Sequence, residues 1–323
     1  MSITKLTELP KPFFVLAPMD DVTDTVFRQI ISETAAPDLY FTEFVNVDGL
    51  QSPGREKLIH KLQFTDAERP LIAQVWGKNP ENYYKTAKEI KEMGFAGIDI
   101  NMGCPAKPVF QNGCCSALIN NRELTGEILK AVREGVGPDF PVSVKTRLGF
   151  GQVDLSWHEF LLSHKLNMLT IHGRTVKEMS KVPAHWDLIG EVAKLRTSLA
   201  PDTLIVGNGD VESHAQGLEL AKQYGLDGIM VGRGIFHDPY VFAEQSPWAE
   251  MNKNQKIDLY TKHVQLFLET WGTENSARRL VTLNKFCKIY IEGFPGAKEL
   301  RERLMATESI PELLELLEQS RTN

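Results

Sequence analysis

With 323 residues, 42% hydrophobic and 24% charged, the chain has the composition of a soluble globular protein of one large or two unequal domains, which excludes a disordered, collagenous or disulfide-framed chain. Its net charge of −6 argues against a protein that coats nucleic acid without specificity. No stretch approaches the ~20 apolar residues of a membrane helix, the polar start Met1–Lys11 lacks the apolar run of a secretory signal, and four cysteines in a chain this long point to a reducing cytoplasm.

Short β-type runs then recur, each followed by a helical pattern. They are Phe13–Leu16, Leu39–Glu43, Leu71–Val75, Gly97–Asn101, Val142–Lys145, Met168–His172, Leu204–Gly207 and Gly228–Gly232. Amphipathic segments lie between them, among them Pro80–Met93, Glu123–Glu134 and Ser213–Tyr224. Leu118, Leu124, Ile128, Leu129 and Val132 recur at the three-to-four spacing of one buried helix stripe. The strand runs are continuously apolar rather than alternating, which fits parallel strands covered by helices on the outside. Eight β-α units in about 230 residues match the count and size of a (β/α)8 barrel. A doubly wound open sheet is the second choice, but no G-x-G-x-x-G opens a helix after the first strand. Beyond Asp238-Pro239 the strand signal stops, and helices are expected over Gln255–Thr270, Ser276–Tyr290, Lys298–Met305 and Pro311–Gln319. The expectation is an α/β barrel domain of residues 1–245 followed by an all-helical domain of residues 246–323.

In this fold the reacting groups sit at the C-terminal ends of the strands. Those ends carry Pro18 and Met19, Glu43, Gln74, Asn101, Lys145, His172, Asn208 to Asp210, and Gly232 to Gly234. Any one of them could be a satisfied core residue; the aligned set is harder to dismiss. The glycine clusters Gly207-Asn208-Gly209-Asp210 and Gly232-Arg233-Gly234 follow the seventh and eighth strands, the recurrent phosphate site of the fold. Arg233 adds a fork-shaped cation suited to a phosphoryl group. Lys145 could stabilise negative charge on a ligand's head group, such as the N1–O2 edge of a reduced flavin, and Gln74 offers both a donor and an acceptor. A nicotinamide or a sugar phosphate could use similar groups.

The loop after the fourth strand, Asn101-Met102-Gly103-Cys104-Pro105, can project Cys104 into the barrel mouth. Cys104, Cys114 and Cys115 lack the C-x2-C spacing of a zinc site, so no metal is expected. As a nucleophile Cys104 would want a neighbouring base; as a general acid it would have to stay a thiol at neutral pH. Cys114, Cys115 and Cys287 read as small apolar packing groups.

Taken together these elements resemble the tRNA-dihydrouridine synthase family. The resemblance rests on Leu16-Ala17-Pro18-Met19, Thr42-Glu43-Phe44, Ala73-Gln74-Val75, Asp99 to Pro105, Val144 to Gly149, His172-Gly173-Arg174-Thr175, Asn208-Gly209-Asp210 and Gly232-Arg233-Gly234, in matching order across nearly the whole chain. It implies FMN across the barrel mouth, with Pro18, Met19 and Asp20 along the ring and Gln74 and Lys145 at its polar edge. His172 would contact the ring or ribityl region, and Asn208, Gly209, Asp210, Gly232 and Arg233 the phosphate. NADPH would deliver hydride to the flavin, which would reduce C6 of uracil while Cys104 protonates C5. The target uridine must leave its stack to reach a barrel mouth, and Asn101 and Arg147 are the candidates for gripping it.

The helical tail, with Lys285, Tyr290 and Gly293, also resembles the RNA-binding domain of that family. Between residues 278 and 303 seven basic side chains face three acidic ones, and Arg278, Arg279 and Lys285 are expected to hold RNA phosphates. No protein partner is implied, and a monomer is expected. The sequence departs from the family pattern at Glu178-Met179-Ser180, where a glutamine and an aromatic are frequent, and at Cys114-Cys115, where glycine or alanine is. The enzymatic rival is an FMN barrel of the dihydroorotate or dihydropyrimidine dehydrogenase type acting on free pyrimidines, which would need no basic tail.

Overall fold

The computed structural model describes residues 6–272 and 276–322. Nine parallel strands run through it: β1 Phe13–Leu16, β2 Tyr40–Phe41, β3 Val45–Asn46, β4 Leu71–Trp76, β5 Gly97–Met102, β6 Val142–Arg147, β7 Met168–His172, β8 Leu204–Asn208 and β9 Gly228–Val231. The short β2 and β3 both pair with β4 and together form one stave of the barrel. β1 pairs with β9 along its length, and a Val15–Leu39 bridge joins it towards β2, so eight staves close into a (β/α)8 barrel. The expected Leu39–Glu43 run is a strand only at Tyr40–Phe41, and β3 lies beyond its end.

Period-two alternation explains why the strand runs are continuously apolar. Phe13, Val15, Phe41, Ile72, Met168, Val206 and Met230 pack with one another in one apolar cluster. Their neighbours Phe14, Leu16, Ala73, Val75, Leu169, Ile171 and Ile229 pack in the larger cluster with the helices. Local chemistry sets the helix starts: Asn79 caps Pro80–Glu92, Asn121 caps Arg122–Val136, and Ser213 caps His214–Tyr224, each accepting from a backbone N–H in the first turn. Leu118 belongs to a separate 3-10 turn, Cys115–Asn120, and not to the helix whose stripe it was expected to extend; it is buried all the same.

After β9 the described residues form helices only: Lys253–Trp271, Asn284–Tyr290, Ala297–Met305 and Ile310–Thr322. The helix expected over Ser276–Tyr290 is shorter than its sequence suggests. Arg279 is extended at φ −115°, a 3-10 turn follows over Leu280–Leu283, and the α-helix begins at Asn284. Just before this turn Arg278 is buried, its side chain held by Asp21 and Glu43. Among the described residues no helix is long and apolar enough to cross a membrane.

Candidate active site

Polar side chains collect at the C-terminal ends of the strands, and register brings them level. Arg147 of β6 lies beside His172 of β7, which lies beside Asn208 of β8. A cavity of ≈ 400 Å³ opens there. Its walls are Ala17, Pro18 and Met19 after β1, Lys145, His172, Arg174, the loop Asn208–Glu212, and Gly232, Arg233, Gly234 and His237 after β9.

The wall beyond β8 and β9 is bare backbone for steric reasons. Gly209 sits at φ +141°, and a Cβ on Gly234 would come within 2.2 Å of the Val211 carbonyl oxygen. Such a wall lets main-chain N–H groups approach a phosphate. Asp210, at φ +52°, does not itself suit an anion. Its carboxylate instead accepts from Arg174, from Arg233 at 3.1 Å and from the Ala184 N–H at 3.2 Å, and so holds two guanidinium groups at the rim.

His172 Nε2 lies 3.2 Å from an Arg174 nitrogen, which can only donate; Nδ1 therefore carries the ring proton. Burial first, then the cations Lys145, Arg147, Arg174 and Arg233, push its pKa far below the usual imidazole range, so the ring is neutral. Lys145 makes no hydrogen bond or ion pair among the described residues. Burial lowers it to about 8, with Asp99 and Cys104 opposing. An unpaired ammonium, a glycine wall and Arg233 form a donor set for an anionic, phosphate-bearing ligand, and these residues fit FMN.

Beside the cavity a hydrogen-bond relay runs from the barrel interior to the Cys104 loop. Asp99, fully buried on β5, accepts from Ser143 Oγ at 2.6 Å and from Gln74 Nε2 at 2.7 Å. Gln74 Oε1 accepts from Asn101 Nδ2 at 2.9 Å, and Asn101 Oδ1 accepts from the N–H groups of Gly103 at 3.1 Å and Cys104 at 3.0 Å. A carboxylate at one end fixes both amide orientations, because each amide can present only one oxygen. Burial raises Asp99 to about 6.

Arg147 holds the same loop from the other side, donating to Gly103 O at 2.8 Å and to the carbonyls of Thr175 and Met179. Cys104 is half-buried at the end of this frame. The neighbouring Cys115 thiol, then the Ala106 N–H and the Arg147 cation, bring it down to about 6 against the opposing effect of burial. Cys115 correspondingly stays a thiol. These surroundings hold Cys104 below the ordinary thiol range expected from the sequence.

Several expected site residues are placed differently from the sequence reading. Gln74 is completely buried and does not line the cavity; it reaches the site only through Asn101. Asn101 has its oxygen shared by two backbone N–H groups and one Nδ2 hydrogen given to Gln74, which leaves the second Nδ2 hydrogen for a base. Arg147 spends Nε and Nη1 on backbone carbonyls and keeps only Nη2. Asp20 is exposed and turned towards Lys61, with which it pairs. Arg278 is 6% exposed and ion-paired with Asp21 and Glu43, at the floor of the depression that Arg279 and Lys285 line. Arg279 and Lys285 are exposed and line a depression of ≈ 390 Å³ with Val281 and Thr282. Sequence reasoning passed over Asp99, Arg174 and Cys115. Asp99 had a signal: with Asn101 it gives polar residues at period two within an apolar strand.

Residues 15–323 match the family described as "Dihydrouridine synthase (Dus)". The chain is 45% identical over 316 residues to a "Probable tRNA-dihydrouridine synthase" of Staphylococcus aureus (strain COL), spanning 97% of this chain and 94% of that one. It is 47% identical over 315 residues to "Probable tRNA-dihydrouridine synthase 2" of Bacillus subtilis (strain 168), spanning 96% and 94%. A solved 2-naphthoyl-CoA reductase superposes with a TM-score of 0.51 at 14% identity, over 71% of this chain and 49% of that one, a likeness of fold alone.

Proposed function

The chain belongs to the dihydrouridine synthase family, and from that premise we propose that it is an FMN- and NADPH-dependent enzyme reducing the C5=C6 bond of particular uridines in tRNA. The observation that carries this reading is Cys104, held by Asn101 and Arg147 beside a cavity that offers a glycine wall and an unpaired lysine. Pro18 and Met19 would flank the FMN ring, Lys145 its polar edge and His172 the ring or ribityl chain. Asn208, Gly209, Gly232 and Arg233 would hold the phosphate, with Asp210 steadying Arg233. Bound FMN, reduced by NADPH, supplies the hydride for C6 of uracil.

The chain's own task is the proton. The C5=C6 bond of uracil is conjugated to the C4 carbonyl, so hydride at C6 leaves enolate-like charge that must be quenched at C5. Cys104 Sγ–H donates that proton, and the Asn101 acceptor fixes where the sulfur stands. With Cys104 at about 6, about a tenth of the protein carries the thiol at pH 7, and turnover falls as pH rises further. The target base is flipped out of its stack to reach the mouth, where Arg147 Nη2 is free to meet it.

Residues 246–323 form the RNA-binding unit in this reading, with Arg279 and Lys285 on phosphates. In this reading the enzyme works in the cytoplasm as a monomer, a compartment that free cysteines and a tRNA substrate suit. Unmodified tRNA should accelerate NADPH oxidation by the FMN-loaded protein, and orotate or uracil should not. Acceleration by the free pyrimidines alone would favour the dehydrogenase of small substrates.

A further inference from the structure

The helical region enters the barrel mouth at one point. Arg278, whose side chain is 4% exposed, straddles two carboxylates: one guanidinium nitrogen lies 2.6 Å from Asp21 Oδ1, and the other bonds Glu43 Oε2. Glu43 is fully buried, and its second oxygen accepts from the Asp21 backbone N–H at 2.7 Å. Carboxylate oxygens of Asp20, Asp21 and Glu43 lie within 4.8 Å of one another, a cluster that repels itself unless cations sit in it. Arg278 and Lys61, which pairs with Asp20, are those cations. Trp271, also from the helical region, donates its indole N–H to Asp24 at 3.1 Å.

Every one of these contacts falls on the loop after β1 or on its immediate support. That loop begins with Ala17, Pro18 and Met19, three residues of the cavity wall. Asp21 stands in it at φ +57°, a left-handed conformation that its short polar side chain tolerates.

We infer that Arg278 is a positioning residue: by bridging Asp21 and Glu43 it ties the helical region to the loop that walls the cofactor cavity, and so sets cofactor affinity from outside the cavity. The geometry suits arginine, whose rigid fork meets two carboxylates in two directions, where a lysine ammonium would act as a single point charge. Loss of Arg278 leaves Glu43 buried without its partner and frees the loop. The inference rests on the reading of the cavity as an FMN site.

The test is FMN affinity, measured by quenching of flavin fluorescence on cofactor-free protein, for wild type, Arg278→Ala, Arg278→Lys, Glu43→Gln and Arg279→Ala, with circular dichroism confirming the fold of each. Arg278→Ala is expected to weaken FMN binding at least tenfold, Arg278→Lys to recover part of the loss, and Arg279→Ala to match wild type. If Arg278→Ala fails to fold, the isosteric Glu43→Gln decides, with a loss in the same direction. A folded Arg278→Ala, or in its place Glu43→Gln, that binds FMN as wild type does would overturn the inference. Wild type that does not bind FMN would instead overturn the reading of the cavity.

Discussion

Replacing Cys115 by alanine isolates the contact that most strongly lowers Cys104. Cys115 is completely buried and sits at φ +51°, a strained backbone for alanine and cysteine alike, so the substitution deletes one sulfur and little else. A hydrogen bond to a charged group contributes about 1.5–3 kcal/mol, and about 1.4 kcal/mol is one pKa unit. Losing it should raise Cys104 from about 6 by roughly one to two units, with the Ala106 N–H and Arg147 still in place. The assay is the rate of iodoacetamide alkylation at Cys104 against pH, followed by peptide mass on the cofactor-free protein, since the thiolate is the reacting form. Wild type should reach half its limiting rate near pH 6, and the variant well above it. For turnover the sign is opposite, because an acid must hold its proton. At pH 8 the thiol fraction would rise from about a hundredth to about a quarter, and the alkaline limb of activity should shift upward. An unmoved alkylation midpoint would refute the assignment of Cys115 as the donor.

Asn101→Ala deletes the acceptor shared by the Gly103 and Cys104 N–H groups; turnover should fall about a hundredfold from misplacement of the sulfur, while FMN affinity stays near wild type in a fluorescence titration. Asp210→Ala releases Arg174 and Arg233 from the cavity rim, and FMN binding should weaken about tenfold, roughly 1.4 kcal/mol, in the same titration. Gly234→Ala forces a Cβ to 2.2 Å from a carbonyl oxygen, and chemical denaturation should show a loss of about 1–3 kcal/mol. Arg279→Ala with Lys285→Ala should raise the KM for tRNA and reduce the salt slope of binding by about 1.5, leaving NADPH oxidation without RNA unchanged.

The barrel was legible because both faces of each strand are buried, which writes a continuous apolar run such as Phe13–Leu16 into the sequence. Strand ends were legible for the same reason: the run stops where Lys145, His172 and Asn208 begin the polar layer. Lys145 and His172 line the cavity as their positions at the strand ends suggested. Charge counting could not show which cations are buried, so Arg278 read as an RNA contact like Arg279, although Arg278 is buried against Asp21 and Glu43 and Arg279 is exposed. The Gln74 and Cys104 partners of Asn101 were not legible, because a strand-end amide shows nothing in sequence of what it bonds. The Cys104–Cys115 contact joins residues eleven apart through a loop whose path no periodicity encodes.

The most direct measurement is the nucleoside mass of unmodified tRNA after incubation with the FMN-loaded protein and NADPH, with Cys104→Ala run alongside. Specific uridines should gain the mass of one H2 with wild type, and that gain should be lost or strongly reduced in the variant. Full reduction by Cys104→Ala would contradict the proton-donor role, and no mass gain by a wild-type protein whose flavin is bound and reducible would contradict tRNA uridine reduction itself.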